Sequence, residues 1–162
     1  MKSVLLSIRP NWCEKIFNGE KTMEVRKTAP NLETPFTVYV YQTKIKFKVK
    51  NWQENFHSIV FTPNGGVEEG NGKVIGSFVC DRVRLCIPFG LKGHLLSQEV
   101  YREMCLTKEQ LDKYGGLKTL YGWHITEPKL FDKPKMVTEF AVYGRCAQEC
   151  SEYDICMKYD SE

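Results

Sequence analysis

No stretch of this 162-residue chain approaches the roughly 18 uninterrupted apolar residues that a membrane-spanning helix needs. The first run, Met1-Lys2-Ser3-Val4-Leu5-Leu6-Ser7-Ile8-Arg9-Pro10, has too short an apolar part for a secretion signal. Charge of one sign is scarce as well: 23 Lys+Arg against 20 Asp+Glu leave a formal net charge of +3. A dedicated nucleic-acid binder usually carries a much larger basic excess. There is no internal repeat, no Cys-x-x-Cys pair and no linker that would divide the chain. Seven cysteines, an odd number without a secretion signal, argue against a complete disulfide framework. The expected setting is cytoplasmic, with no membrane association and with the thiols mostly reduced.

What is present is ordinary globular composition, 42% hydrophobic and 27% charged, which excludes a disordered chain. The length suits one domain, and near 150 residues about 68–70% of the unfolded surface can be buried. That domain is expected over 1–145, with an insertion at about 51–72 marked by Pro63-Asn64-Gly65-Gly66 and Gly70-Asn71-Gly72. Residues 146–162 form an acidic, cysteine-containing tail.

Ser3–Ile8 alternates as a strand, with Val4, Leu6 and Ile8 on its apolar side. Pro10 suits a first helical turn, Trp12, Cys13, Ile16 and Phe17 form an apolar stripe, and Gly19 suits the helix end. Thr22–Lys27 and Phe36–Thr43 alternate again. After Val40 the apolar parity flips to Ile45, Phe47 and Val49, so a bulge or turn is expected near Gln42–Lys44. Lys73–Ile87 reads as a long strand or a bent pair. Ser97 caps one helix, whose inner face carries Val100, Met104 and Cys105. Thr107-Lys108-Glu109-Gln110 opens a second with a capping box, and Gly115 ends it. Leu117–Thr126 and Val137–Arg145 are the last expected strands. This order does not alternate strand with helix as a parallel α/β fold does. It suggests an α+β fold, a small mixed β-barrel with covering helices.

The most informative stretch is Gly19-Glu20-Lys21-Thr22-Met23-Glu24-Val25-Arg26. Glu24 and Arg26 fall two residues apart on one strand face, roughly 6.5–7 Å from each other along it. Lys21 and Thr22 lie at the helix–strand junction. One short element thus offers a carboxylate, a guanidinium, an ammonium and a hydroxyl; a solvated surface strand can carry the same mixture.

The run Ser7-Ile8-Arg9-Pro10 … Ile16-Phe17-Asn18-Gly19-Glu20-Lys21-Thr22-Met23-Glu24-Val25-Arg26 resembles the ASCH-domain signature, Gly-x-Lys-x-x-Glu-x-Arg after an amphipathic helix. Val38-Tyr39-Val40-Tyr41-Gln42-Thr43, Gly72-Lys73-Val74-Ile75-Gly76-Ser77-Phe78 and Tyr121-Gly122-Trp123-His124-Ile125 extend the likeness in the family's order, across most of residues 3–140. The resemblance implies a β-barrel of the PUA-like superfamily with a cleft beside the first helix, and RNA or a modified nucleoside as the partner. The cleft would be lined by Ser7, Arg9, Lys21, Glu24, Arg26, Tyr41 and Lys44. One ASCH group removes the acetyl group of N4-acetylcytidine with a lysine, a threonine three residues later and a distant glutamate. Lys21 matches that lysine, but Glu24 stands at the threonine position. Thr22 is the neighbouring hydroxyl, off the motif's register, and the distant glutamate would fall near Glu99 and Glu103. The alternative is therefore a hydrolase, an amidohydrolase on an N4-acylated cytidine or a ribonuclease, using Lys21 and Glu24.

Three features lie beside this site. Lys44, Lys46, Lys48 and Lys50 form a ladder of about 20 Å. It would either meet RNA phosphates or guard a sheet edge against mispairing. Trp123-His124 offers a histidine that is either packed or catalytic. Cys146, Cys150 and Cys156 put three thiols near the end of the chain. A structural zinc would need a fourth ligand from elsewhere, so free thiols or a local disulfide are favoured and no cofactor is expected.

Overall fold

The computed structural model describes residues 3–43, 59–61, 67–69, 72–91, 96–140, 142–143 and 155–157. Strand β1 (Ser3–Ile8) leads into helix α1 (Pro10–Phe17) and strand β2 (Met23–Arg26). Pro10 opens α1, and the Arg9 carbonyl accepts the N–H groups of Trp12 and Cys13 at 2.9 and 3.0 Å. Gly19 adopts φ 82°, the left-handed conformation that stops the helix. Strand β3 (Phe36–Gln42) buries Phe36, Val38, Val40 and Gln42 in strict alternation. A short antiparallel pair, β4 (Ile59–Phe61) and β5 (Val67–Glu69), falls in the expected insertion. The long strand β6 (Val74–Ile87) precedes helices α2 (Gln98–Met104) and α3 (Lys108–Gly115). Strand β7 (Leu120–Lys135), a 3-10 turn at Val137–Glu139, and strands β8 (Val142–Tyr143) and β9 (Ile155–Met157) follow.

Both helix caps form as expected. Ser97 accepts the Val100 N–H, and Thr107 and Gln110 exchange reciprocal bonds at 2.9 and 3.2 Å. Helix α3 runs through Gly115, and the cap is Gly116 at φ 58°. Gly115 is small for a different reason: a Cβ there would come within 2.7 Å of the Leu120 side chain.

Seven strands hydrogen-bond in the order β2-β7-β6-β3-β1-β9-β8. The sheet is open, which corrects the expected barrel. Closure would require the end strands β2 and β8 to pair, and among the described residues each has a single neighbour. Just before β2, the Thr22 N–H bonds instead to the Glu103 carbonyl in α2. Two further expectations change. Within the expected strand at Val137–Arg145 the described residues form a 3-10 turn at Val137–Glu139 and a strand at Val142–Tyr143, and β7 continues to Lys135 through Pro128 and Pro134. Alternation predicted one apolar face for β1, yet Val4, Leu5, Leu6 and Ile8 are all buried. The reason is that the second face is covered too: Tyr39, Tyr41, Phe131, Val137 and Phe140 pack against the cluster that contains Leu5.

The chain divides into two compact units. The first comprises Met1–Glu14, Thr37–Phe78 and Lys129–Glu162. Its Leu5 and Val74 are buried with Tyr39, Tyr41, Phe131, Val137 and Phe140 against them. Tyr39 packs on Phe140 with ring centres 5.1 Å apart. The second comprises Lys15–Phe36 and Val79–Pro128. Its core is Met23, Val25, Ile87, Met104, Leu111 and Leu120, where α2 and α3 cover the apolar face of β2 and β7. Among the described residues no helix is long and apolar enough to cross a membrane.

Candidate functional site

The polar signature residues lie in the second unit. β2 pairs antiparallel with β7 in the register Met23↔His124, Glu24↔Trp123, Val25↔Gly122 and Arg26↔Tyr121. Register partners project to the same side of a sheet, so Glu24 and Arg26 share a face with Trp123 and Tyr121. Met23 and Val25 take the opposite face and enter the apolar core. The sequence predicts this division of faces. It does not predict the burial, because Lys21 is 2% exposed, Glu24 8% and Arg26 9%.

Buried charges must be compensated, and here each has a partner. Lys21 Nζ donates to the Met104 carbonyl at 2.5 Å and stands 3.5 Å from Glu24 Oε2. Arg26 Nη2 stands 3.3 Å from Glu24 Oε1. Glu24 therefore joins two cations, one through each carboxylate oxygen, and the three groups together carry one net positive charge. Burial pushes the Lys21 ammonium below the ordinary lysine value, and the attraction of Glu24 offsets part of that fall. Met104 is the last residue of α2, so its carbonyl lies at the negative end of the helix dipole, which favours a cation.

Trp123 closes this face. It is 1% exposed and packs edge-on to Phe36, with ring centres 5.6 Å apart and planes at 86°. Its Nε1 has no hydrogen-bond partner among the described residues.

The other site residues expected from the sequence are distributed as follows. Thr22 is held by its backbone, with its N–H on the Glu103 carbonyl and its carbonyl accepting the Ile125 N–H. The Glu103 carboxylate accepts from Arg84 Nη2 at 2.5 Å. Ser7, Arg9 and Tyr41 belong to the first unit, where Ser7 and Tyr41 are register partners on β1 and β3 and Arg9 is exposed. Lys44 lies outside the described residues, as do Lys46, Lys48 and Lys50. His57, His94, Cys146 and Cys150 also lie outside them. Cys156 falls in β9, where its backbone pairs with Val4. No group of three or more His, Cys, Asp or Glu among the described residues could hold a metal ion. Cys80, Cys86 and Cys105 form no disulfide, and Cys13 Sγ donates to the Ile8 carbonyl at 3.5 Å.

Sequence reasoning misses three participants. The Met104 carbonyl is a backbone group 83 positions from Lys21 and leaves no trace in composition. Arg84 emerges only once α2 is docked. The third, Asp81 on β6, meets His124 Nδ1 on β7 at 2.6 Å. Only the register of β2 on β7 could have placed Trp123 opposite Glu24.

No family model matches the chain, and no curated protein matches it. Solved structures do. The ASCH protein of Zymomonas mobilis superposes with a TM-score of 0.56 at 17% identity, covering 85% of this chain and 75% of that one. A tyrosine-to-phenylalanine variant of that protein gives 0.56 at 16% identity, covering 86% and 78%. A serine-to-alanine variant gives 0.56 at 17% identity, covering 85% and 75%. The chain therefore has an ASCH-like fold, in agreement with the resemblance of its ordered motifs.

Proposed function

We propose that this protein binds RNA or a modified nucleoside through Lys21, Glu24 and Arg26. The observation that carries the reading is the buried Lys21–Glu24–Arg26 network on the face of Trp123. A network of two cations and one carboxylate suits a ligand with both an anionic group and a hydrogen-bond donor. Phosphate would draw on Lys21 and Arg26, and a base amino group would donate to Glu24. The ASCH-like fold supports this assignment through the nucleic-acid partners that the resemblance implies. Ser7, Arg9, Tyr41 and Lys44 are proposed as further ligand contacts.

A second reading, hydrolysis of an N4-acylated cytidine or of RNA, is favoured by one observation. Lys21 is held below the ordinary lysine value beside a carboxylate, as a proton-transferring amine would be. With Glu24 at the signature position where a hydroxyl nucleophile would stand, such chemistry would proceed by activated water rather than through an acyl-enzyme.

Calorimetric titration of the protein with cytidine, N4-acetylcytidine and a short single-stranded RNA tests the proposal. Lys21→Ala and Arg26→Ala each break a buried pair and should lower the unfolding midpoint. At a temperature where circular dichroism shows them folded, each should weaken binding of whichever ligand is held. Unchanged affinity in both variants would place the site elsewhere. Release of acetate from N4-acetylcytidine, or cleavage of the RNA, would establish the second reading.

A further inference from the structure

We propose that the Arg84–Glu103 ion pair is a positioning clamp, holding the end of α2 where the Met104 carbonyl fixes the Lys21 ammonium beside Glu24. The inference rests on the reading of Lys21, Glu24 and Arg26 as the ligand site. Met104 ends a helix of seven residues, too short to persist without tertiary support. Its cap, Cys105, adopts φ 52° and ψ 35°, a conformation that residues other than glycine rarely take. The turn at 103–105 must therefore be held from outside.

Three ties do so. The Glu103 carbonyl accepts the Thr22 N–H at 3.0 Å, and Cys105 Sγ donates to the Glu20 carbonyl at 3.3 Å. These two bonds flank Lys21 in the chain, so the turn and residues 20–22 move as one piece. The third tie comes from another strand: Arg84 Nη2 on β6 reaches the Glu103 carboxylate at 2.5 Å and lies 3.5 Å from Met23 Sδ. It is a side-chain link between this piece and β6. The groups that act on Lys21 are Glu24 and Arg26 from β2 and Cys105 from the turn. Glu24 and Arg26 are set by the pairing of β2 with β7, whereas Cys105 and the Met104 carbonyl keep their distances to Lys21 only while the turn is in place.

The pair is partly open to water, with Arg84 at 40% and Glu103 at 30% side-chain exposure. Exposed ion pairs contribute little to global stability. Its effect should thus be seen at Lys21 rather than in the unfolding transition, which separates a positioning role from a merely structural one.

The test uses the full chain with 15N-labelled lysine, so that the Lys21 Nζ resonance can be followed against pH and identified by its loss in Lys21→Met. In Arg84→Gln and in Glu103→Gln that resonance should move and titrate closer to the ordinary lysine value, with the unfolding midpoint nearly unchanged. Affinity for the probe cytidine 5′-monophosphate should fall about tenfold in each, with no further loss in the double variant, since the two side chains act as one link. Arg84→Lys, which keeps the charge, should recover most of it. Should either glutamine variant fail to fold, Glu103→Asp withdraws the carboxylate by one methylene and gives the same readout. A Lys21 resonance and titration unchanged in folded variants would overturn the clamp. If the unaltered protein does not bind the nucleotide, the ligand reading fails for that probe, and the Lys21 resonance still decides the clamp.

Discussion

Glu24 on β2 and Trp123 on β7 are direct register partners, so the carboxylate that joins Lys21 to Arg26 shares its face with one of the largest fully buried side chains described. A carboxylate in that position is largely withdrawn from water, and its interaction with the two flanking cations is strengthened accordingly.

Glu24→Gln should therefore be strongly destabilising. It leaves two buried cations facing each other without their shared anion, and breaking a buried pair typically costs about 3–5 kcal/mol. Urea denaturation measures this directly. A loss under about 1 kcal/mol would mean that water already reaches the three groups.

The pH dependence follows from Lys21. Its folded value lies below the ordinary 10.5, chiefly through burial, so the unfolded chain holds this proton more tightly. In the window just below pH 10.5 the unfolded state binds more protons at this site, and the Lys21 contribution to stability rises with pH there. At lower pH, with the ammonium charged in both states, the full cost of burying it is felt. Subtracting the pH–stability curve of Lys21→Met from that of the unaltered protein should leave a difference that climbs across this window. A flat difference would show that burial does not outweigh the attraction of Glu24.

Most elements that carry the site were legible in the sequence. The Gly19 stop, the alternation of Met23 and Val25 against Glu24 and Arg26, and both helix caps rest on local rules, and each is found where expected. Sheet closure was not legible, because whether β2 and β8 meet depends on what occupies the outer side of β2. The burial of Lys21 was hidden too: the hydrogen bond that satisfies it there ends on a backbone carbonyl 83 residues away. Local pattern reads faces well and cannot read which distant element will cover them.

Cys80 offers a check on the interior of the second unit. It has no exposed surface, and burial pushes its thiol up to about 11. Since the thiolate is the reactive form, iodoacetamide at neutral pH should leave Cys80 unmodified in the folded protein and label it after denaturation. Mass spectrometry distinguishes the two. Rapid labelling in the native state would contradict the packing of this strand.

Gly122 tests the apolar side of β2. A Cβ there would collide with Met23 Sδ and stand 2.8 Å from Cys86 Sγ. Gly122→Ala should cost about 1–3 kcal/mol by overpacking. In the background of Met23→Ala, which removes the nearer sulfur, the same change should cost markedly less. Equal losses in the two backgrounds, measured by chemical denaturation, would exclude that contact as the cause.

The central claim is that Lys21, Glu24 and Arg26 form the ligand site, and two-dimensional NMR of the 15N-labelled protein tests it most directly. On addition of cytidine nucleosides or a short RNA, the account predicts saturable shifts centred on the amides of residues 21–26 and on the Trp123 indole N–H. Binding that leaves those signals in place and moves others would contradict it.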